Sequence, residues 1–140
     1  MVVKVVSTEE ERQSAFDLRT EVFVREQHVP TELELDELDK TATHVIAMED
    51  NQVVGCGRII MEGSTAWIGR VAVKKNYRGR KVGKRLMETM MQISVDRGAK
   101  TISLHAQIQV EPFYRKLGYI PHGKTFMDAG IEHIEMSLQK

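Results

Sequence analysis

The residues with the clearest chemical potential lie side by side. From Lys74 to Arg85 the chain reads KKNYRGRKVGKR, with seven cationic side chains and no acid. This run separates an apolar, strand-like stretch from a long helical pattern. The first turn of a helix presents unpaired N–H groups and a partial positive charge, both suited to phosphate. Gly79 and Gly83 allow the backbone to approach a ligand closely. A strand, a basic glycine turn and a helix start therefore predict a cradle for a phosphorylated ligand rather than a solvated basic face. Two familiar phosphate patterns do not fit. A Walker A loop needs four residues between its glycines and Ser or Thr after Lys. Here three residues separate Gly79 from Gly83, and Arg85 follows Lys84. The dinucleotide fingerprint G-x-G-x-x-G is absent. Gly55 and Gly57 fall mid-strand and read as a bulge or a tight packing contact.

Other chemistry-bearing residues are scattered. Cys56 lies among apolar strand residues and reads as a small core filler. It is the single cysteine, so no internal disulfide or cysteine zinc cluster can form, and a reducing cytoplasm is expected. His105 and His133 fall on strands and read as hydrogen-bonded structural groups. Together with Glu26 they are the candidates for a general base. Thr31 to Lys40 carries Glu32, Glu34, Asp36, Glu37 and Asp39 among leucines 33, 35 and 38. It is expected to be a solvated charged loop, with room for a short irregular helix, able to attract a cationic partner.

The elements that must position these residues follow from patterning. Val2 to Val6 is a strand. Thr8-x-x-Glu11 is a capping box, and Ala15, Leu18 and Val22 predict a helix from about Glu9 to Arg25. His44–Met48, Val53–Met61 and Ala66–Val73 are strands joined by turns at Glu49–Gln52 and Glu62–Ser64, an antiparallel meander. Val82, Leu86, Met90 and Ile93 predict a long helix stopped by Gly98, whose methionines fill the core. Thr101–Ala106 is a strand, and the strand–helix–strand order predicts a parallel crossover. Pro112 and Gly118 bracket a short helix. Tyr119–Ile120 and Ile131–Leu138 are the last strands. The order is β-α-(α)-β-β-β-α-β-α-β-β, a mixed α/β (α+β) sheet with packed helices, expected as one domain over residues 1–140. Zero net charge and few aromatics argue against an RNA surface built on the basic run with Tyr77. No apolar run reaches the ~18 residues needed to span a bilayer.

Val71-Ala72-Val73 followed by Arg78-Gly79-Arg80-Lys81-Val82-Gly83 resembles the acetyl-CoA signature of the GNAT acetyltransferase superfamily, Arg/Gln-x-x-Gly-x-Gly/Ala. Arg78 and Gly83 match its ends, and Lys81 stands where glycine is usual. Such a lysine would either strain the loop and crowd a pyrophosphate, or add an ionic contact. Gln107, Val110, Tyr114, Gly118 and Tyr119 resemble the superfamily's Asn-x-x-Ala-x-x-x-Tyr-x-x-x-Gly-Phe stretch. Val22-Phe23-Val24-x-Glu26-Gln27-x-Val29-Pro30, Gly69–Val73, Leu104–Gln107 and Gly130-Ile131-x-His133 resemble small bacterial members of the YjcF/ElaA kind.

The resemblance implies the GNAT fold and transfer of an acetyl group from acetyl-CoA to an amine on a small molecule or protein, without a metal. Backbone N–H groups of Val71, Ala72 and Val73 would polarise the thioester carbonyl. Arg78, Gly79, Arg80, Lys81, Val82, Gly83 and Lys84 would hold the pyrophosphate, with Gln107 and Phe113 completing the cofactor site. Tyr114 would protonate the departing sulfur. Neither nucleic acid nor membrane is an expected partner, and a homodimer is left open. The alternative is a non-catalytic CoA-binding regulatory or interaction module of the same fold.

Overall fold

The computed structural model describes residues 1–140. Strand β1 (Val2–Val5) leads into helix α1 (Glu9–Arg19), whose cap is the one the sequence predicts: the Thr8 hydroxyl accepts from the Glu11 amide. The helix does not continue regularly to Arg25. From Thr20 to Glu26 it widens into π-type winding, with the Gln27 amide bonded to the Val22 carbonyl. Nothing in an apolar period announces that extra residue per turn, which rotates the helix end relative to an α-helical continuation.

After a one-turn helix α2 (Thr31–Glu34) and a 3-10 turn (Glu37–Lys40) comes the meander β2 (Thr43–Glu49), β3 (Gln52–Glu62) and β4 (Thr65–Val73). Its first turn places Asp50 and Asn51 at φ 53° and 58°, the left-handed pair that suits a two-residue hairpin. Helix α3 (Val82–Asp96) crosses over to β5 (Thr101–Gln107), then α4 (Glu111–Lys116), β6 (Ile120–Asp128) and β7 (Ile131–Gln139) complete the chain. Strand β6 runs well past the two residues expected, because its polar, exposed sequence pairs with β7 at the sheet edge and needs no apolar alternation.

The sheet order is β1-β2-β3-β4-β5-β7-β6. All neighbours are antiparallel except β4 and β5, which the α3 crossover makes parallel as predicted. Opposite faces carry different helices. Val82, Leu86, Met87 and Met90 of α3 pack on Val45, Ala47 and Val54, while Ala15, Leu18 and Val22 pack on Ile46, Cys56 and Ala72. A Cβ on Gly55 would lie 2.8 Å from Leu86 and Val82, and one on Gly57 2.6 Å from Met90. Those glycines serve helix packing. Cys56 is a core filler, and burial pushes its thiol up to about 12.

The acidic segment is not a solvated loop. Arg19, Glu34 and Asp39 are 2%, 3% and 5% exposed. The Arg19 guanidinium donates to Glu34 Oε1 and Oε2 at 2.8 and 2.7 Å through Nε and Nη2, and to Asp39 Oδ1 at 2.7 Å. Arg58 donates to Asp36 and Asp39 at 2.8 and 2.9 Å. Arg70 donates to the Glu34 carbonyl at 3.0 Å and to Asp36 at 3.2 Å. Three guanidiniums from α1, β3 and β4 thus neutralise three carboxylates, and the loop is strapped across the sheet. Such a cluster survives burial only because almost every charge has partners. Of the five carboxylates, only Glu32 and Glu37 remain exposed, the latter beside Lys40. Asp39 is pulled two ways. Burial alone would raise its pKa, but hydrogen bonds from Arg19 and the Asp36 amide, with the Arg19 charge, hold it well below the ordinary value. The Arg58 hydrogen bond also lowers Asp36.

Removing Arg19 strands two buried carboxylates. Arg19→Met is expected to cost about 3–5 kcal/mol in urea unfolding. Both aspartates have folded pKa values below their unfolded ones. Their contribution is therefore complete above about pH 4 and is lost as pH falls further. The unfolding free energy of wild type should drop through this range, and that of Asp39→Asn should start lower and change less.

Candidate active site

Strands β4 and β5 pair only from Thr65–Thr101 to Ile68–Leu104, although β4 continues to Val73 and β5 to Gln107. A bulge redirects β4 at this point. Arg58 faces Gly69 and Cys56 faces Ala72, so Arg70 and Val71 oppose the single residue Gly57. Arg70 sits at φ 54°, which costs a non-glycine residue about 1–2 kcal/mol. Its side chain, bound to the acidic segment, offsets that cost. Beyond the bulge the strands separate, and the β5-facing edge of β4 has no strand partner. A cleft of about 1080 Å³ opens there.

One end of the cleft is the basic turn. Gly79 and Lys81 both have positive φ, 80° and 65°, with Arg80 between them at negative φ. Such alternation turns successive amides toward one side, a concave anion-binding arrangement. Lys81 is the N-cap of α3 and offers no side-chain acceptor, so the first-turn amides are uncapped. No acid lies in that turn, while Lys84 and Arg85 lie near the positive end of the helix dipole. Both features are unfavourable in an empty helix start and favourable around an anion. The left-handed backbone at Lys81 also explains why the superfamily signature has glycine there.

Of the thirteen predicted site residues, Val71, Val73, Arg78, Gly79, Lys81, Val82, Gly83, Lys84, Gln107, Phe113 and Tyr114 line this cleft. The Ala72 side chain points to the other face, against the α1 cluster. Arg80 lies over the Tyr77 ring at 5.1 Å. Arg78 is already engaged, donating to the Val73 carbonyl at 2.9 Å and to Glu26 at 2.8 Å. Glu26 itself is not among the residues that line the cleft. Gln107 donates to Gln27 on the π-wound turn at 2.8 Å and accepts from Gln109. Tyr114 is nine-tenths buried and its hydroxyl makes no hydrogen bond within the protein. Desolvation pushes its pKa up to about 12.

The second wall was not anticipated. Leu33, Glu34 and Leu38 from the strapped segment, Val22, Phe23 and Gln27 from the π-wound turn, and Arg58 and Arg70 line it. The available signal was arithmetic: Arg58 and Arg70 interrupt apolar strands, and an acidic run of matching size lies upstream. His105 and His133 also line the cleft, on β5 and β7. As expected, both are hydrogen-bonded or ion-paired: His133 Nδ1 meets the Ile131 carbonyl at 2.7 Å, and His105 Nε2 lies 3.5 Å from Glu135.

A mixed sheet that parts between two parallel strands, with an uncapped basic helix start at the parting, defines the acyl-CoA N-acyltransferase architecture. Residues 5–140 match the family model described as the acetyltransferase (GNAT) domain, and the chain belongs to this family. It is 39% identical to the uncharacterized N-acetyltransferase YjcF of Bacillus subtilis over 137 residues, covering 97% of this chain and 98% of YjcF. The crystal structure of Escherichia coli ElaA superposes with a TM-score of 0.89 at 27% identity, covering 98% and 99% of the two chains. An acyl-CoA N-acyltransferase from Pseudomonas aeruginosa gives 0.88 at 28% identity over the same shares.

The basic turn can be tested through Gly83. A Cβ there would meet nothing closer than Phe113 at 3.6 Å, an ordinary contact, so the fold itself does not need this glycine. Gly83→Ala should raise unfolding free energy by roughly 0.5–1 kcal/mol. If the turn holds the diphosphate of CoA, the added methyl would intrude on it, and calorimetry should show affinity for CoA falling at least tenfold. Loss of stability together with unchanged affinity would reverse this assignment.

Proposed function

We propose that the protein transfers an acetyl group from acetyl-CoA to a primary amine by direct attack of the amine on the thioester. The observation that carries this reading is that three features share one cleft: the unpaired edge of β4, the uncapped start of α3, and the unbonded hydroxyl of Tyr114. In this reading the α3 amides and Lys81 and Lys84 take the diphosphate. The unpaired β4 backbone from Val71 to Val73 takes the pantetheine arm and polarises the carbonyl, a preorganised donor worth several kcal/mol in a dry site. The YjcF and Pseudomonas names, N-acetyltransferase and acyl-CoA N-acyltransferase, support the same chemistry. The lone, buried thiol fits a reducing compartment, so the proposal places the enzyme in the cytoplasm.

Tyr114 lies in the cleft as the acid for the leaving sulfur. With its pKa raised, it stays protonated through neutral and alkaline pH. Transfer to a thiolate whose conjugate acid has a pKa of about 8.5 is uphill, because the raised pKa makes the phenol the weaker acid. A thiolate already leaves well, so the contribution is modest beside the ~10²–10⁴ typical of general acids.

Tyr114→Phe is expected to lower kcat by about 10- to 100-fold with the Kd of acetyl-CoA unchanged. The wild-type rate should show no alkaline loss attributable to this phenol below about pH 10. Thiol release from acetyl-CoA across an amine panel reads both. Thermal stabilisation by acetyl-CoA with no thiol release from any amine would select the non-catalytic module instead.

A further inference from the structure

We infer that the β5–β7 wall is the acceptor subsite, that His133 Nε2 takes the acceptor's proton, and that the acceptor is an amine on an apolar or aromatic body without a neighbouring carboxylate. This rests on the acyl-transfer reading above.

Position selects His133. Ile68 and Leu104 are the last paired residues of β4 and β5, and Gln107, three residues further along β5, pairs with His133 on β7. Val71 lies three residues beyond Ile68 on the other side of the parting. His133 therefore stands across the gap at the height of the bulge, where the thioester is proposed to lie.

Its hydrogen bond fixes its chemistry. A backbone carbonyl only accepts, so the 2.7 Å contact with Ile131 means Nδ1 carries the hydrogen. In the neutral ring the lone pair is then on Nε2, which has no protein partner, while the ring lines the cleft. His105 is arranged the other way, with Nε2 turned to Glu135. Among the other titratable groups around His133, Glu135 lies two residues along the strand beside His105, Glu132 accepts from Thr125, and Glu34 and Arg58 across the cleft belong to one ionic network. Asp128 at the end of β6 and Glu62 at the end of β3 also line the cleft, where their carboxylates favour a cationic amine.

The wall also states what body the amine carries. Trp67, His105, Phe126 and His133 form a continuous aromatic row with centroid separations of 5.3, 5.0 and 5.8 Å. Trp67, His105 and His133 of this row line the cleft, with Phe126 packed against the two histidines, and Leu33, Leu38 and Ile60 face the same space. The two cations there, Arg58 and Arg70, already hold carboxylates and carbonyls, so a substrate carboxylate would find no free partner. The ammonium nitrogen gives its first proton to Nε2, which passes it to solvent. The neutral nitrogen then attacks, the C–N bond forms and the C–S bond breaks. Tyr114 protonates the sulfur, the new amide nitrogen releases its second proton to solvent, and Tyr114 is reprotonated from there.

The test compares two probe nucleophiles, tyramine, which is an ammonium ion at pH 7, and hydroxylamine, which is already neutral. His133→Asn keeps a donor for the Ile131 carbonyl but removes the Nε2 lone pair. We expect kcat/KM for tyramine at pH 7 to fall roughly 10²-fold. The hydroxylamine rate and the Kd of acetyl-CoA should stay within about threefold. Tyrosine, which adds a carboxylate to tyramine, should be a far poorer acceptor for wild type. Equal loss with both probes, tyrosine matching tyramine, or no turnover of tyramine by wild type that binds acetyl-CoA would each overturn the inference. If His133→Asn does not fold, His133→Gln is read the same way. Wild type that binds no acetyl-CoA would refute the acyl-transfer reading itself.

Discussion

The parting of β4 from β5 is the constraint on which the rest of this structure depends. Two parallel strands joined by a helical crossover would ordinarily pair along their whole length, since an unpaired edge inside a sheet leaves strong donors and acceptors without partners. Here the ladder stops after four pairs. The cause is local: an extra residue in β4 opposite Gly57, with Arg70 in a left-handed conformation. A bulge of this kind bends the strand and re-aims its groups. It persists because the Arg70 guanidinium is anchored to the Glu34 carbonyl and to Asp36. Helix α2 and the turn after it are in turn anchored by Arg19 and Arg58. The buried ionic cluster therefore holds open the edge that the chemistry would use. A cluster that adds little net stability over an apolar core can still decide which of two sheet geometries is adopted.

That arrangement also divides the cleft electrically. At the α3 end, cations and uncapped amides face the space without acidic partners, apart from Arg78 with Glu26. At the Trp67 end, the arginines are neutralised within the protein. Trp67 and Val73 are six residues apart on an extended strand, about 20 Å. Over such a distance screening makes the two ends nearly independent. In the proposed reading, a polyanionic donor and a largely apolar acceptor would thus be steered to different ends of one cleft by the same strand.

What the sequence made legible follows from the range of each interaction. The capping box at Thr8, the hairpin turn at Asp50-Asn51, the apolar face of α3 and the basic turn depend on neighbours within a few residues, and their patterns are visible in order. The parallel crossover follows from strand–helix–strand order alone. The π-wound turn was invisible because Val22 satisfies an α-helical period equally well, and the wider winding shows only in backbone bonds such as that from the Gln27 amide to the Val22 carbonyl. The acidic segment was misread because its partners lie up to 36 residues away: Arg70 to Glu34, and Arg58 to Asp36 over 22. A run of carboxylates looks solvated until the helix and two strands delivering three arginines beneath it are folded. Much of the candidate site was visible for a different reason, the motif likeness around Arg78–Gly83 and Tyr114. The wall facing it was not, because no local pattern marks it.

The departure at Lys81 becomes intelligible when the costs at the start of α3 are considered together. Its left-handed backbone, the missing side-chain cap, and cations placed at the positive end of a helix dipole each oppose folding of the free protein. Glycine at position 81 would remove the first cost, and an acidic cap there would remove the second and offset the third. The acidic cap would also weaken the electrostatic attraction for a diphosphate and place a competing carboxylate at the concave backbone. A ligand carrying two to four negative charges reverses the sign of the last two costs at once, since it caps the amides and neutralises the lysines. The left-handed lysine is then a small fixed penalty that holds an ammonium at the helix mouth, where glycine would offer only backbone. Stability given up in the empty protein at this turn reappears as affinity, the exchange by which a binding site is built from an otherwise poor helix start.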